Sequence, residues 1–339
     1  MKLSILIKAL NEEKLIAVCL EAVLAETMKV DSEVILVDSL STDRTIEIAR
    51  RYPIRIIQFS HRLDCGAASA AQLGYQYARG EYLYVLDGDM VMQPGFLSVA
   101  LNYLESNPDV AGVAGKLLDT CIKTLDDKRR AFVATAQQQI MEVSDLGGGG
   151  LYRRKAIESV GYLAHRWLPA CEEAELGARL RTAGWRLIRL SEIAVLHTGH
   201  YESNFQMFSR LWRNRRMHAY GMYLRTAFGH PWWWLSVRQV QFVFAAPALH
   251  VVAGIFAVVC VMYLEVLKIV PALVVVETLI WLGVTTVLAL KKGSVIDAIF
   301  SIYGLHCYAL AAALGFIQSI SDPMIPINAG EFTKHRIPQ

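Results

Sequence analysis

Apolar positions change rhythm along this chain, and the change divides it in two. In the first part, short β-rich runs alternate with amphipathic stretches. The runs "LSILI" (3–7), "SEVILVD", "IRIIQF" and "EYLYVLD" predict strands. Between them, "NEEKLIAVCLEAVLA" sets Leu15, Val18, Cys19, Ala22 and Val23 on one helical face. "STDRTIEIARRY" predicts a helix capped by Ser41 or Thr42, and "AASAAQLGYQYARG" a helix closed by Gly80. Strand and helix in alternation predict an α/β domain with a Rossmann-like, mostly parallel sheet. Ligands bind such sheets at the carboxyl ends of the strands. Asp38 and Asp87 each stand at one of those ends.

Near Pro231 the pattern becomes continuously apolar. Runs over 242–264, 269–290 and 295–320 each approach the length that crosses a bilayer. The chain therefore divides into a domain over 1–203, a basic and aromatic segment over 204–240, an α-helical membrane domain over 241–322 and a tail over 323–339. Arg210, Arg213, Arg215, Arg216, Arg225 and Arg238 precede the first run, and Lys291 and Lys292 precede the third. The excess of positive charge on that side predicts that the N-terminal domain and the Lys291 loop face the cytoplasm. Three full crossings would put the tail, with Lys334 and Arg336, on the opposite side. Asp297 and His306 interrupt the third run, so a re-entrant or shallow placement stays open.

Composition narrows this further. Of 339 residues, 54% are hydrophobic, and the net charge is only +3. Nothing there, and no zinc-finger or helix-turn-helix spacing, points to nucleic acid. The six cysteines are scattered without a CxxC pair, which fits core thiols in a reducing compartment. Lys8 and Asn11 end the first apolar run too early for a secretory signal.

The candidate chemistry starts at "LDGDM". Asp87 and Asp89 are carboxylates one residue apart after a strand, a hard-oxygen pair suited to Mg²⁺ or Mn²⁺ shared with a diphosphate. A solvated turn is the plain alternative. Five segments in order, "SILIKALNEEKLIAVCLEAVL", "ILVDSLSTDRT", "GAASAAQLGYQYARGEYLYVLDGDM", "LGGGGLYRRKAIESVGY" and "CEEAELGARLRTAGWRL", resemble the inverting family-2 glycosyltransferases of GT-A fold. The resemblance implies a UDP- or GDP-sugar donor and Mg²⁺ or Mn²⁺. By it, Asp38 contacts the base, Asp87 the ribose or the metal, and Asp89 the metal. By the same resemblance His197 in "VLHTGH" is a third metal ligand, with His200 a weaker competitor and a polar strand-end residue as the plain alternative. Asn11, Glu12, Gly148 and Gly149 fall in the segments that hold the nucleotide-sugar. The glycine run has a flexible loop as its plain alternative. Glu173 matches the catalytic aspartate, the base that takes a proton from the acceptor hydroxyl, with Glu172 as fallback. Glutamate there is one methylene longer than the usual aspartate.

Other departures leave the nucleotide open. Lys8, Ala9 and Leu10 replace the family's aromatic-bearing opening, Ser39 replaces a second aspartate, and Ala67 a basic residue. Lys8 or Arg62 would supply that positive charge. After Glu173, helical spacing sends Leu176, Leu180 and Trp185 inward and leaves Glu175, Arg179 and Arg181 on a solvated face.

"NFQMFSRLWRNRRMHAYGMYLR" (204–225) predicts a helix lying among lipid headgroups. Its Arg210, Trp212, Arg213 and Arg216 would hold the diphosphate of a lipid-linked acceptor, or simply anchor the chain to anionic lipid. "HPWWWLSVR" adds an aromatic belt. Glu277, within the second run and with His250 or His306 as partner, suits packing or a homo-oligomer contact better than acceptor binding. The expectation is a membrane-anchored, metal-dependent hexosyltransferase. It would act on a polyprenyl-diphosphate-linked acceptor in polysaccharide biosynthesis. Transfer directly to polyprenyl phosphate, and a non-catalytic nucleotide-sugar-binding scaffold, are the alternatives.

Overall fold

The structure is a computed structural model that describes residues 1–28, 30–198, 202–264 and 269–332. His200, Lys334 and Arg336 lie outside the described residues. The first part alternates as its pattern dictates: β1 (Leu3–Ala9), α1 (Ile16–Thr27), β2 (Ser32–Asp38), α2 (Thr45–Ala49), β3 (Arg55–Phe59), α3 (Ala67–Tyr77) and β4 (Tyr82–Asp87). Strands β3, β2, β1 and β4 lie side by side and all parallel. Every residue of β1 is buried, as expected of a strand covered on both faces. Its register sets Ala9 against Asp38 and Lys8 against Asp87. The two strand-end aspartates thus flank the end of β1.

Two local expectations are corrected. Ser41 and Thr42 do not cap α2, which starts only at Thr45. Ser41 Oγ accepts from the Asn11 N–H and the Thr42 N–H donates to Asn11 Oδ1, so both serve the neighbouring loop. Gly80 does not cap α3, which stops at Tyr77. A Cβ on Gly80 would lie 2.3 Å from Ser4 N, so the glycine is there for close approach to β1.

The second half of the sheet is mixed. It comprises β5 (Met90–Met92), α4 (Phe96–Ser106), β6 (Val110–Asp119), α5 (Leu125–Ala136), β7 (Met141–Glu142), β8 (Gly150–Arg153), α6 (Arg154–Glu158), α7 (Glu172–Thr182) and β9 (Arg186–His197). Strand β8 runs antiparallel to both β4 and β6, and β9 runs parallel to β6 but antiparallel to β5 and β7. The Rossmann-like block is therefore the β3–β2–β1–β4 half.

Helix α7 departs from its expected solvated face. Leu176 and Leu180 are buried, but so are Glu175 and Arg179, at 0% and 3% exposure. The cause is packing on both sides: α7 contacts β9 in the sheet and α10 (Trp233–Gln239), a later helix. Trp185 lies beyond the helix, half-buried, donating to Ser159 Oγ.

The expected single helix over 204–225 is two helices, α8 (Asn204–Arg213) and α9 (Ala219–Ala227), broken by a turn with Arg215 at φ 55°. Helices α11 (Ala245–Leu264), α12 (Ile269–Lys292) and α13 (Val295–Phe316) match the three apolar runs and are long and apolar enough to cross a membrane. Many of their large apolar side chains, Ile255, Phe256, Leu279 and Leu282 among them, face outward. A final strand, β10 (Ala329–Phe332), pairs antiparallel with β3 at the sheet edge.

Candidate active site

The strand ends meet the start of α7 in one cleft. Lys8, Asp87, Gly148, Gly149, Glu172 and Glu173 all line it. Lys8, one residue before the end of β1, is 9% exposed. Its Nζ lies 2.9 Å from Asp87 Oδ1 and 3.8 Å from Glu172 Oε1. Burial alone would lower its pKa, but Asp87, Glu172 and Glu173 outweigh that and raise it, so the ammonium is held firmly charged. Burial, then the neighbouring Glu172, push the Glu173 carboxyl up to about 8. That suits a base that must receive a proton near neutrality. Cys171, just before the pair, has φ 70°, an uncommon conformation for a side-chain-bearing residue that turns the chain into α7.

A second cluster lies past β4. Asp89 Oδ2 is 3.1 Å from His197 Nε2, and His197 Nδ1 is 2.7 Å from Asp119 Oδ1. Burial opposes charge on this histidine, but its hydrogen bonds to Asp89 and Asp119 raise it to about 9. Glu12 sits over the same turn. Burial, then Asp89 and Asp87, lift its carboxyl to about 7. Among the described residues, no three His, Cys, Asp or Glu side chains converge as ligands. The donors present, carboxylates of Asp87 and Asp89 beside an imidazole, are nevertheless the chemistry that Mg²⁺ or Mn²⁺ takes.

Asp38, at the end of β2, is fully buried. Its Oδ2 accepts from the Ser41 N–H at 3.0 Å and from Gln58 Nε2 at 2.8 Å, while Oδ1 has no protein partner. A buried acceptor left open at a strand end is what a donor-bearing ligand would satisfy.

Residues 4–161 match the family described as Glycosyl transferase family 2. The chain carries a family 2 glycosyltransferase domain. The uncharacterized glycosyltransferase EpsJ of Bacillus subtilis (strain 168) is 33% identical over 112 residues, covering 32% of each chain. An undecaprenyl-phosphate 4-deoxy-4-formamido-L-arabinose transferase of Pectobacterium atrosepticum is 32% identical over 132 residues, 37% of this chain and 40% of that one. These matches span about a third to two fifths of the relatives' own lengths. The mannosyltransferase PcManGT from Pyrobaculum calidifontis, solved with GDP-Man and Mn²⁺, shares the fold. Its TM-score is 0.62 at 19% identity, over 93% of this chain and 87% of that one.

Within the transferase domain, not every expected residue faces the cleft. Asn11 spends its side chain on the Thr42 N–H. Arg62 lies in a short 3-10 turn and donates to the carbonyls of Ser39 and Leu40, beside Asp38. Gly148 lies close to the acidic turn: a Cβ there would be 2.6 Å from the Met90 methyl and 3.9 Å from Asp87 Oδ2. On α8, Arg210 is paired with Glu202 and so is engaged within the protein. Trp212, Arg213 and Arg216 are exposed. Burial, then Glu172 and Glu173, raise the Cys171 thiol, and the charge of Arg216 opposes them.

Three residues escaped the sequence reading. Asp119 ends β6 as Asp38 and Asp87 end theirs, and its side chain is buried between His197 and Arg130. Its signal was available: an apolar run, "GKLLD", ending in a carboxylate. Gln58 was marked by being the polar residue inside "IIQF". Arg189 donates to Leu146 O at 2.7 Å and so holds the start of the glycine run; no local pattern announces that.

Proposed function

We propose that this chain is a membrane-anchored inverting glycosyltransferase that moves a sugar from a UDP- or GDP-sugar to a lipid-linked acceptor. The observation that carries the reading is the shared cleft. It sets Asp87, beside Asp89, and the Glu172–Glu173 pair around one buried ammonium. In this reading residues 1–203 are catalytic, 204–240 meet the lipid surface, and 241–322 hold the chain in an inner membrane with the catalytic domain in the cytoplasm.

The steps follow from the charges. Asp38 holds the base, and the backbone of Gly148 and Gly149 lies against the donor's oxygens. Glu173 takes the acceptor hydroxyl proton as that oxygen attacks the anomeric carbon, and the bond to the diphosphate breaks, inverting the centre. Glu172 and Lys8 hold the surrounding charge fixed. A divalent cation at Asp87, Asp89 and His197 would stabilise the negative charge that develops on the leaving diphosphate.

The raised Glu173 carboxyl favours a hydroxyl acceptor, such as a polyprenyl-diphosphate-linked sugar, because a hydroxyl must lose its proton. The similarity to the undecaprenyl-phosphate transferase of Pectobacterium favours polyprenyl phosphate instead. A phosphate oxygen is already ionised, so it needs no base. Transfer by Glu173→Gln distinguishes the two: it should collapse toward a hydroxyl acceptor and largely survive toward polyprenyl phosphate. Absence of transfer to either acceptor by the unaltered protein, across a full nucleotide-sugar panel, would instead support the scaffold alternative.

A further inference from the structure

The third apolar helix behaves differently from the first two. Besides packing on α11 and α12, helix α13 meets α5 of the catalytic domain and the interfacial helices α8 and α9. At its first turn Asp297 Oδ2 lies 3.9 Å from Lys128 Nζ on α5. In its middle, Phe300 and Tyr308 meet Phe208 of α8, at ring separations of 4.8 and 5.7 Å. At its last turn it comes almost backbone to backbone with α9. A Cβ on Gly221 would lie 1.8 Å from Ala312 O, and one on Gly315 would lie 2.1 Å from His218 O.

The two ends of α13 are about 33 Å apart at 1.5 Å per residue. That is roughly the thickness of a bilayer's hydrocarbon core. If α13 crossed, α5 or the α8–α9 turn would have to enter hydrocarbon with it. Helix α5 carries Asp126, Asp127, Lys128, Arg129 and Arg130, the end of α8 carries Arg213, and the turn after it carries Arg215 and Arg216. Charges at such density do not enter a bilayer core.

The chain beyond α13 agrees. Trp167 Nε1 donates to Asp322 O at 3.0 Å, and Arg166 Nη1 donates to the carbonyls of Ile325 and Pro326. The chain then joins the catalytic sheet as β10, where Glu331 pairs with Arg55 at 2.7 Å. A segment hydrogen-bonded into the edge of the cytoplasmic domain's sheet cannot lie on the far side of the membrane. Helices α11 and α12 pack on each other through Ala253, Ala257, Ala272 and Val276 and on α13, and they turn Ile255, Phe256, Leu279 and Leu282 outward, while α13 leaves Ile296, Ile299 and Leu310 exposed on its own free side.

We infer that only the α11–α12 hairpin enters the bilayer, that α13 is the seat fixing this hairpin to the catalytic domain, and that the C-terminal tail lies on the catalytic side. The partner of the hairpin's outer face is lipid. The inference rests on the membrane-anchored reading above. His250, Glu277, Trp281 and His306 tie the hairpin to the seat: His250 Nδ1 is 2.9 Å from Glu277 Oε1, its Nε2 is 3.0 Å from His306 Nε2, and Trp281 Nε1 donates to Glu277 Oε2 at 2.9 Å.

The test places one epitope tag before Met1 and another after Gln339 of the full chain. Antibody access to each is then read in sealed inside-out and right-side-out vesicles, with extraction by alkaline carbonate in parallel. The expected result is that both tags become accessible in the same vesicle orientation while the protein resists extraction. Access in opposite orientations would overturn the inference and leave the membrane anchor standing. Release by carbonate would overturn both the hairpin's insertion and the anchored reading, and so is separable from a failure of topology alone.

Discussion

Two successive turns of α7 carry charge in opposite ways. Glu175 and Arg179 form a closed set: both are buried, paired at 2.7 Å, and Tyr162 OH donates to Glu175 Oε1 at 2.7 Å. Arg179 also donates to Tyr162 O at 2.8 Å and lies 3.7 Å from that tyrosine's ring centroid. One turn earlier, Glu172 and Glu173 share a single ammonium, Lys8, which Asp87 also claims. Three carboxylates around one cation are under-neutralised. A closed buried set stabilises a fold, whereas an open one keeps a carboxyl pushed up to about 8 and ready for a proton.

Four variants test that difference, from the largest expected effect to the smallest. Glu173→Gln should cut transfer to a hydroxyl acceptor by roughly 10²- to 10⁴-fold, the usual range for losing a general base. Its melting temperature should not fall, because the change removes a like charge from a buried pair. Turnover and thermal unfolding together check this. Arg179→Met should do the reverse. It leaves Glu175 buried without its cation, at a cost of about 3–5 kcal/mol read by denaturant unfolding, while the remaining folded protein keeps its turnover.

Glu172→Gln sharpens the contrast through pH. With Glu173 as the proposed base, acting when deprotonated, kcat/KM should rise with pH and level off above about pH 8. Removing the like charge at 172 favours the ionised form of Glu173 and should move that rise toward neutrality. An unmoved profile would detach the two glutamates. The smallest effect belongs to Tyr162→Phe, which removes one hydrogen bond to a charged acceptor. About 1.5–3 kcal/mol of stability should be lost, with the pH profile unchanged.

The same comparison shows what was legible in the sequence. Asp38 and Asp87 were readable because each ends an apolar run, a local signal that a strand is ending, and Asp89 because it stands two residues beyond Asp87. The place of Glu173 in the cleft was anticipated only through its motif. Glu175 and Arg179 were misjudged because helical periodicity assumes one wet face. Helix α7 is instead covered from both sides, partly by α10, which follows far along the chain. Burial by a distant element leaves no local trace. The antiparallel entry of β8 between β4 and β6 is hidden for the same reason, since each strand's own pattern is silent about its neighbour's direction. The third apolar run reads like the first two by composition. It is set apart by Gly221 and Gly315, whose significance appears only when α9 and α13 meet.

The central claim is that the open charge set around Lys8 is a sugar-transfer site. The most direct measurement is incorporation of sugar from a panel of UDP- and GDP-sugars into a lipid extract containing polyprenyl-diphosphate-linked acceptors. Wild type would be run beside Glu173→Gln and Asp89→Ala, with Mg²⁺, Mn²⁺ or EDTA. The account predicts incorporation by wild type from one donor, dependent on the cation and lost in both variants while each stays folded. Incorporation that persists unchanged in both variants would contradict it.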